Sequence, residues 1–345
     1  PTPFQAGISP TGRRASPTIP AGAQAGTPTG KTDISMTEFG FIDSIRRLFA
    51  DLDGNGFEAI GDDCTVVPVS AGESMVLTCD LLAEQVHFLR DRTTPYELGG
   101  KSLAVNLSDV AAMGAAPVAT LLALSLPRDA TDAWAEEFMR GYHDMSLRHG
   151  VALVGGDTTA SASGIVISVT AIGRAPSGHI KRRSAARAGD RIFVGDVLGA
   201  SGAGLQDILA GRNDTEAARI HRNPEPQIAE GIWLGARTEV HAMMDLSDGL
   251  ASDLRHILAA SGVGAELDIE CIPAYADPQE AVCAGEDYKL LLTADPCRAD
   301  RLQADFRARF GKPLHPVGRI TEERKLRWLL GGKPQPLDWH GFTHY

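Results

Sequence analysis

The chain has 345 residues, 43% of them hydrophobic and 22% charged, close to the average of globular proteins and enough for two domains of ordinary size. Its formal net charge of −11, from 44 acidic and 33 basic residues, removes the basic face a nucleic-acid binder needs, but not an anionic ligand bridged by divalent cations. The five cysteines, Cys64, Cys79, Cys271, Cys283 and Cys297, are odd in number and form no C-x-x-C pair, which speaks against a zinc site or disulfide framework and for reduced thiols.

Residues 1–35 are rich in Pro, Thr, Gly and Ala and nearly free of large apolar side chains. They are expected to be a disordered extension, since such a segment buries too little to offset its ordering entropy. Met36 reads as a natural start, and Phe41, Ile45, Leu48 and Phe49 follow at helical spacing. No apolar run approaches the roughly 18 residues of a membrane span. No apolar stretch follows the early basic residues as in a signal peptide. The expected location is the cytoplasm, with no membrane and no nucleic-acid partner.

Beyond Met36, strand-like and helix-like segments alternate. "SMVLTCD" (74–80) and "IVISVTAIG" (165–173) read as strands. "TDAWAEEFMRGYHDMSLRHG" (131–150) reads as an amphipathic helix, with Trp134, Phe138, Tyr142 and Met145 on one face and Gly150 as its C-cap. After Gly173 the chain turns polar and basic, and "RIFVGD" (191–196) starts a new strand, so a boundary is expected near residue 175. That divides the chain into 1–35, 36–175 and 176–345, in the α/β or α+β class. No Walker loop and no protein-kinase motif set is present.

One pattern recurs. "AIGDD", "MVLTCD", "LAVNLSD", "VALVGGD" and "AMMDLSDG" are segments of buried character that deliver carboxylates at or near their ends. Aspartate also favours turns and helix N-caps, and Asp248 ahead of "GLASDLRHILAASG" has the position of a cap. "KSLAVNLSDVAAMGA" (101–115) is a helix apolar nearly all round, broken by Ser102, Asn106 and Asp109 in one stripe. Buried polar groups of that kind need partners: protein groups, water or a metal. Clustered carboxylates repel unless a cation lies between them, and Mg²⁺ with phosphates suits such a set. Gly61, Gly155 and Gly156 precede these aspartates and allow close backbone approach.

In this order, "IGDDC", "LAVNLSDVAAMGA", "LVGGDTT", "DLSDGLASDL", "GEDYKLLLT" and a terminal "DWHGFTHY" resemble the thiamine-monophosphate kinase family, part of the superfamily related to aminoimidazole ribonucleotide synthetase. The resemblance runs from about Met36 to Tyr345. It implies a two-domain fold, an α/β N-terminal half whose sheet pairs across a homodimer and an α+β C-terminal half, with ATP and thiamine monophosphate bound in the cleft. It implies several Mg²⁺ ions and transfer of the ATP γ-phosphoryl group to the substrate phosphate, giving thiamine diphosphate. By the same resemblance Asp63, Asp80, Asp109, Asp157, Asp245 and Asp248 are metal ligands, joined by oxygens at Thr78 and Cys79. Cys79 stands where the family commonly has threonine, and a thiol is a poor Mg²⁺ ligand. Gly156, Asp157, Arg183 and Ser247 match ATP contacts, and His87, Glu286 and Trp339 match substrate contacts. Ala284 replaces the first glycine of the usual "GGED", which predicts a slightly stiffer loop.

No general base is assigned, because the attacking phosphate oxygen is already largely anionic at neutral pH. The alternatives are a sister enzyme, such as a selenophosphate synthetase, or a Mg-nucleotide binder without activity. The chain lacks the reactive cysteines expected near the N-terminus of the domain in selenophosphate synthetase, or at the C-terminus in the hydrogenase maturation dehydratase.

Overall fold

The computed structural model describes residues 62–342. The expectations for residues 1–35, for the helix beginning at Met36 and for Gly61 lie outside the described residues. The first lobe is a five-stranded sheet of β1 (Thr65–Ser70), β2 (Glu73–Ala83), β3 (Ala116–Leu126), β4 (Ala152–Ala160) and β5 (Val166–Pro176), in the order β1-β2-β5-β3-β4. All its pairings are antiparallel except β3 with β4. Helices α1 (Pro95–Ala112) and α2 (Asp132–His149) belong to this lobe, and α1 packs directly on β2, β3 and β5.

The chemistry at the helix ends explains where they stop. Thr94 and Glu97 form a reciprocal capping box at the start of α1, with Pro95 in its first turn. Thr131 caps α2, and Gly150 ends it in the left-handed conformation at φ 66°. Phe138, Tyr142 and Met145 of α2 are buried with Leu103 and Leu107 of α1 and Ile167 of β5 in one core.

Among the described residues, no helix packs on the other face of the sheet. Leu81 and Leu121 stand exposed there, and every residue of β4 is exposed, Leu153 and Val154 included. "VALVGGD" is therefore not a buried segment: among the described residues β4 is an edge strand, exposed along its length. Asp157 also falls within β4 and not at its end, and Asp80 lies within β2.

The second lobe is a seven-stranded sheet of β6 (Arg191–Val194), β7 (Val240–Asp245), β8 (Gly264–Asp268), β9 (Leu290–Ala294), β10 (His315–Thr321), β11 (Leu326–Leu330) and β12 (Lys333–Gln335). Its order is β12-β11-β8-β10-β6-β9-β7. Helices α3 (Ala200–Leu209), α4 (Glu216–Arg222), α5 (Ile228–Gly235), α6 (Leu250–Ser261), α7 (Pro278–Cys283) and α8 (Ala299–Phe310) complete it. Leu250, Leu254 and Ile257 of α6 fill one core against the sheet, and Leu302 and Phe306 of α8 fill a second.

The lobes meet along α1. Its Ala111 packs with Ile228 of α5 as part of the first-lobe core, and the next residue, Ala112, packs with Leu234 and Met243 of the second lobe. The approach is close: a β-carbon on Gly231 would lie 2.3 Å from the Ala111 carbonyl oxygen. That seam fixes the two lobes against each other on either side of a cleft.

Candidate active site

Buried carboxylates line the floor of the cleft. Oxygens of Asp63, Asp109 and Asp245 all lie within 4.8 Å of one another. Each comes from a different element: Asp63 precedes β1, Asp109 is in the last turns of α1, and Asp245 ends β7. Asp80 of β2 adjoins them. Burial and the charge of Asp63 raise its carboxyl to about 6. Burial, then Asp63, raises Asp245 to about 8, and burial with Asp80 and Asp245 lifts Asp109 well above the usual range. Carboxylates that raise one another in this way hold protons unless a cation replaces them, so the donor set fits a hard divalent cation with oxygen ligands.

Hydrogen bonds hold the cluster in place. Thr78 Oγ1 donates to Asp109 Oδ2 at 2.6 Å, and Ser108 Oγ donates to Asp245 Oδ2 at 2.5 Å. The polar stripe on α1 is satisfied by protein groups: Asn106 Oδ1 accepts from the Asp80 N–H, its Nδ2 donates to the Ser102 carbonyl, and Ser102 donates to Gly99. Arg183 clamps Asp63 with two bonds, at 3.1 and 2.7 Å, and burial does not overcome the stabilising charges of Asp63, Asp245 and Asp62. Asp62 differs from its neighbour: its Oδ1 accepts from the Arg183 main-chain N–H at 2.7 Å. Lys181 does not reach this region with its charge. It is buried and donates to the carbonyls of Arg237 and Val240.

Alternation along β2 separates Cys79 from the cluster. Thr78 and Asp80 face α1, and the Cys79 sulfur turns to the open face, 3.4 Å from Ser168 Oγ. Its side chain does not join the carboxylates. Gly156 and Asp157 lie elsewhere too. Asp80 pairs with Val169, Val169 with Leu122, and Leu122 with Gly156, so three strand steps of roughly 4.8 Å put about 14 Å between the backbones. Gly156 is required by contact, since a β-carbon there would sit 1.8 Å from the Leu122 carbonyl oxygen.

A cavity of about 790 Å³ opens from the carboxylate floor. Among its walls are Asp80, Asp109, His87, Ser247, Asp248 and Glu286. The Asp248 turn is held by a residue the sequence did not single out. Asp253 Oδ2 accepts from the N–H groups of Asp248 and Gly249, and Gly249, not Asp248, occupies the cap position of α6. His87 Nδ1 accepts from the Ala83 N–H at 3.0 Å.

The Glu286 loop is under backbone strain. Glu286 and Tyr288 both adopt left-handed φ, at 64° and 50°. They are held by Glu286 N–H to the Ser247 carbonyl, Tyr288 N–H to the Leu246 carbonyl, and the Asp287 carboxylate, which accepts from Gly199 and Ser201 at the start of α3. Ala284 sits at φ −77°, ψ 138°, so alanine is accommodated without strain. The terminal segment also differs from expectation. Trp339 packs on Trp328 with ring centroids 5.0 Å apart, and among the described residues of the tail Phe342 is the aromatic one that lines the cavity. A cavity-facing aromatic was predictable for "DWHGFTHY", but which ring faces inward depends on how the tail folds back.

Residues 61–175 match the AIR synthase related protein N-terminal domain, and residues 187–330 match its C-terminal domain. Two such lobes around a carboxylate-lined cleft define the class as AIR synthase related. A thiamine-monophosphate kinase of Escherichia coli K12 is 36% identical over 323 residues, 88% of this chain and 96% of that protein. One of Bacillus subtilis is 30% identical, over 83% and 93%. The chain belongs to the thiamine-monophosphate kinase family. Among solved structures, AaThiL complexed with AMPPCP and TMP covers 92% of this chain and all of its own, at 29% identity and TM-score 0.78. Thiamine-monophosphate kinase from Stenotrophomonas maltophilia covers 86% and 98%, at 35% identity and TM-score 0.70. Escherichia coli HypE, 19% identical at TM-score 0.67, shares the fold.

Proposed function

We infer that this protein transfers the γ-phosphoryl group of ATP to the phosphate of thiamine monophosphate, forming thiamine diphosphate and ADP. The observation that carries this reading is one continuous cavity with a carboxylate floor at Asp80 and Asp109 and a recognition wall at Glu286, His87 and Phe342. Two anions must meet there, and a carboxylate floor admits them only with cations. Asp63, Thr78, Asp80, Asp109, Asp245 and Asp248 would hold magnesium, with Cys79 offering its main-chain oxygen alone. Magnesium bound there supplies charge neutralisation and alignment for in-line attack.

The remaining roles belong to the chain's own groups. Arg183 and Ser247 are assigned to ATP. Glu286 accepts hydrogen bonds from the substrate heterocycle, Phe342 gives a face for a flat or cationic ring, and Trp339 is assigned to the substrate from the same tail. The attacking phosphate oxygen needs no base. A substitution that abolishes turnover while both ligands and metal still bind in place would count against that.

Gly156 and Asp157 are assigned to ATP, and Asp157 also to metal, in a homodimer. The apolar open face of the first sheet, and an edge uncovered among the described residues, support pairing of two copies there. A division of the chain near residue 175 and a cytoplasmic location complete this reading. The first is supported by the end of β5 at Pro176. The second is supported by five free thiols and by the lack, among the described residues, of a helix long and apolar enough to cross a membrane. Incubation with ATP, Mg²⁺ and thiamine monophosphate tests the activity by formation of thiamine diphosphate. Nucleotide binding without any product would favour a silent binder, and a different phosphorylated product a sister enzyme.

A further inference from the structure

Lys101 lies in α1 of the first lobe and is 2% exposed. Its ammonium meets Glu286 Oε2 of the second lobe at 3.0 Å, across 185 positions of sequence. A buried ion pair is commonly no more stabilising than an apolar pair of the same volume, so stability gives little reason to keep one. This pair crosses the cleft at the wall of the cavity.

Lys101 contributes nothing to that wall directly, whereas Glu286, His221 and Ser201 do. Glu286 Oε2 is engaged by Lys101 and lies 3.4 Å from His221 Nδ1. Among the described residues, Oε1 accepts no hydrogen bond, and the side chain keeps 23% exposure toward the cavity. His221 is not the cation here. Burial and then Lys101 lower its ring to about 4, and its Nδ1 is 3.0 Å from Ser201 Oγ. The groups that act on Glu286 are therefore Lys101, His221 and His87, with Lys101 the largest of them. Burial alone would raise the carboxyl, but the Lys101 charge, the largest opposing cause, helps hold it below its usual value.

We propose that Lys101 is a positioning residue for substrate recognition: it occupies one oxygen of Glu286 and leaves the other directed to the substrate heterocycle. Because the contact bridges the lobes, it also ties the recognition wall to the helix that carries Asp109. This rests on the assignment of Glu286 to the substrate.

The test is steady-state kinetics of Lys101→Met, which keeps the apolar stem and removes the charge. The KM for thiamine monophosphate is expected to rise about 10- to 100-fold, while the KM for ATP stays at the wild-type value. Lys101→Arg is expected to restore part of the loss. Lys101→Met combined with Glu286→Gln is expected to be no worse than Glu286→Gln alone, because Lys101 acts through that carboxylate. Where Lys101→Met does not fold, Lys101→Gln serves with the same expectation. An unchanged KM for thiamine monophosphate, an equal rise for ATP, or additive losses in the double variant overturn the proposal alone. Wild-type protein that does not phosphorylate thiamine monophosphate overturns the functional reading, and this proposal with it.

Discussion

Asp62 and Asp63 are neighbours with unlike surroundings. Asp63 faces the carboxylate cluster and takes both bonds from the Arg183 guanidinium, whereas Asp62 accepts from the Arg183 main chain. Asp63→Asn should lower kcat/KM by about 100-fold or more, in the range seen when a charge-stabilising group is removed. Asp62→Asn should cost far less, and equal losses in the two variants would contradict this division. The pKa shifts give a second prediction. Asp80 and Asp245 titrate near 6 and 8 in the folded chain, above their value in the unfolded chain. Without metal their contribution to stability is greatest below the unfolded value and is lost as pH rises through 6 and then 8. Bound Mg²⁺ removes that cost. The Tm gain from Mg²⁺ should therefore grow between pH 6 and pH 8.5, and a gain that shrinks over that interval would rule the cluster out as the metal site.

At the scale of elements, helices announced themselves more clearly than strands. The Trp134, Phe138, Tyr142, Met145 stripe and Gly150 placed α2 because periodicity and caps are local signals. β4 misled, because "VALVGGD" has a core strand's composition and only the sheet order puts it at an edge. The joint between lobes was not legible at all. Gly231 looks like an ordinary helix glycine until α1 is laid against it, 2.3 Å from where its β-carbon would be. Gly231→Ala should push α5 from α1 and destabilise the fold by about 1–3 kcal/mol. Thermal melting checks this, and an unchanged Tm would mean the seam yields without cost.

For the whole molecule, the open face of the first sheet is the largest consequence of the topology. Leu121 and Val154 are 40% and 60% exposed on neighbouring strands. Leu121→Asp with Val154→Lys should abolish the proposed homodimer, read as a halved mass in sedimentation equilibrium. Activity should fall with it, because Asp157 lies on that same exposed strand, about 14 Å from the cluster by strand spacing. A monomeric variant with full activity would place both Asp157 and the dimer outside catalysis.

The sequence by itself determined the helices, the order of the carboxylates along the chain and the family they belong to, since periodicity, caps and ordered motifs are written in consecutive residues. It did not determine which carboxylates meet. Asp63, Asp109 and Asp245 converge because α1 lies between the lobes. Lys101 gave no signal, as a lysine in an apolar helix reads as a surface residue until a partner 185 positions away buries it. Trp339 and Phe342 were separable only once Trp328 was in place to stack on the first. Local chemistry fixes elements, but a site assembled across a cleft is decided by packing between segments that the chain order keeps far apart.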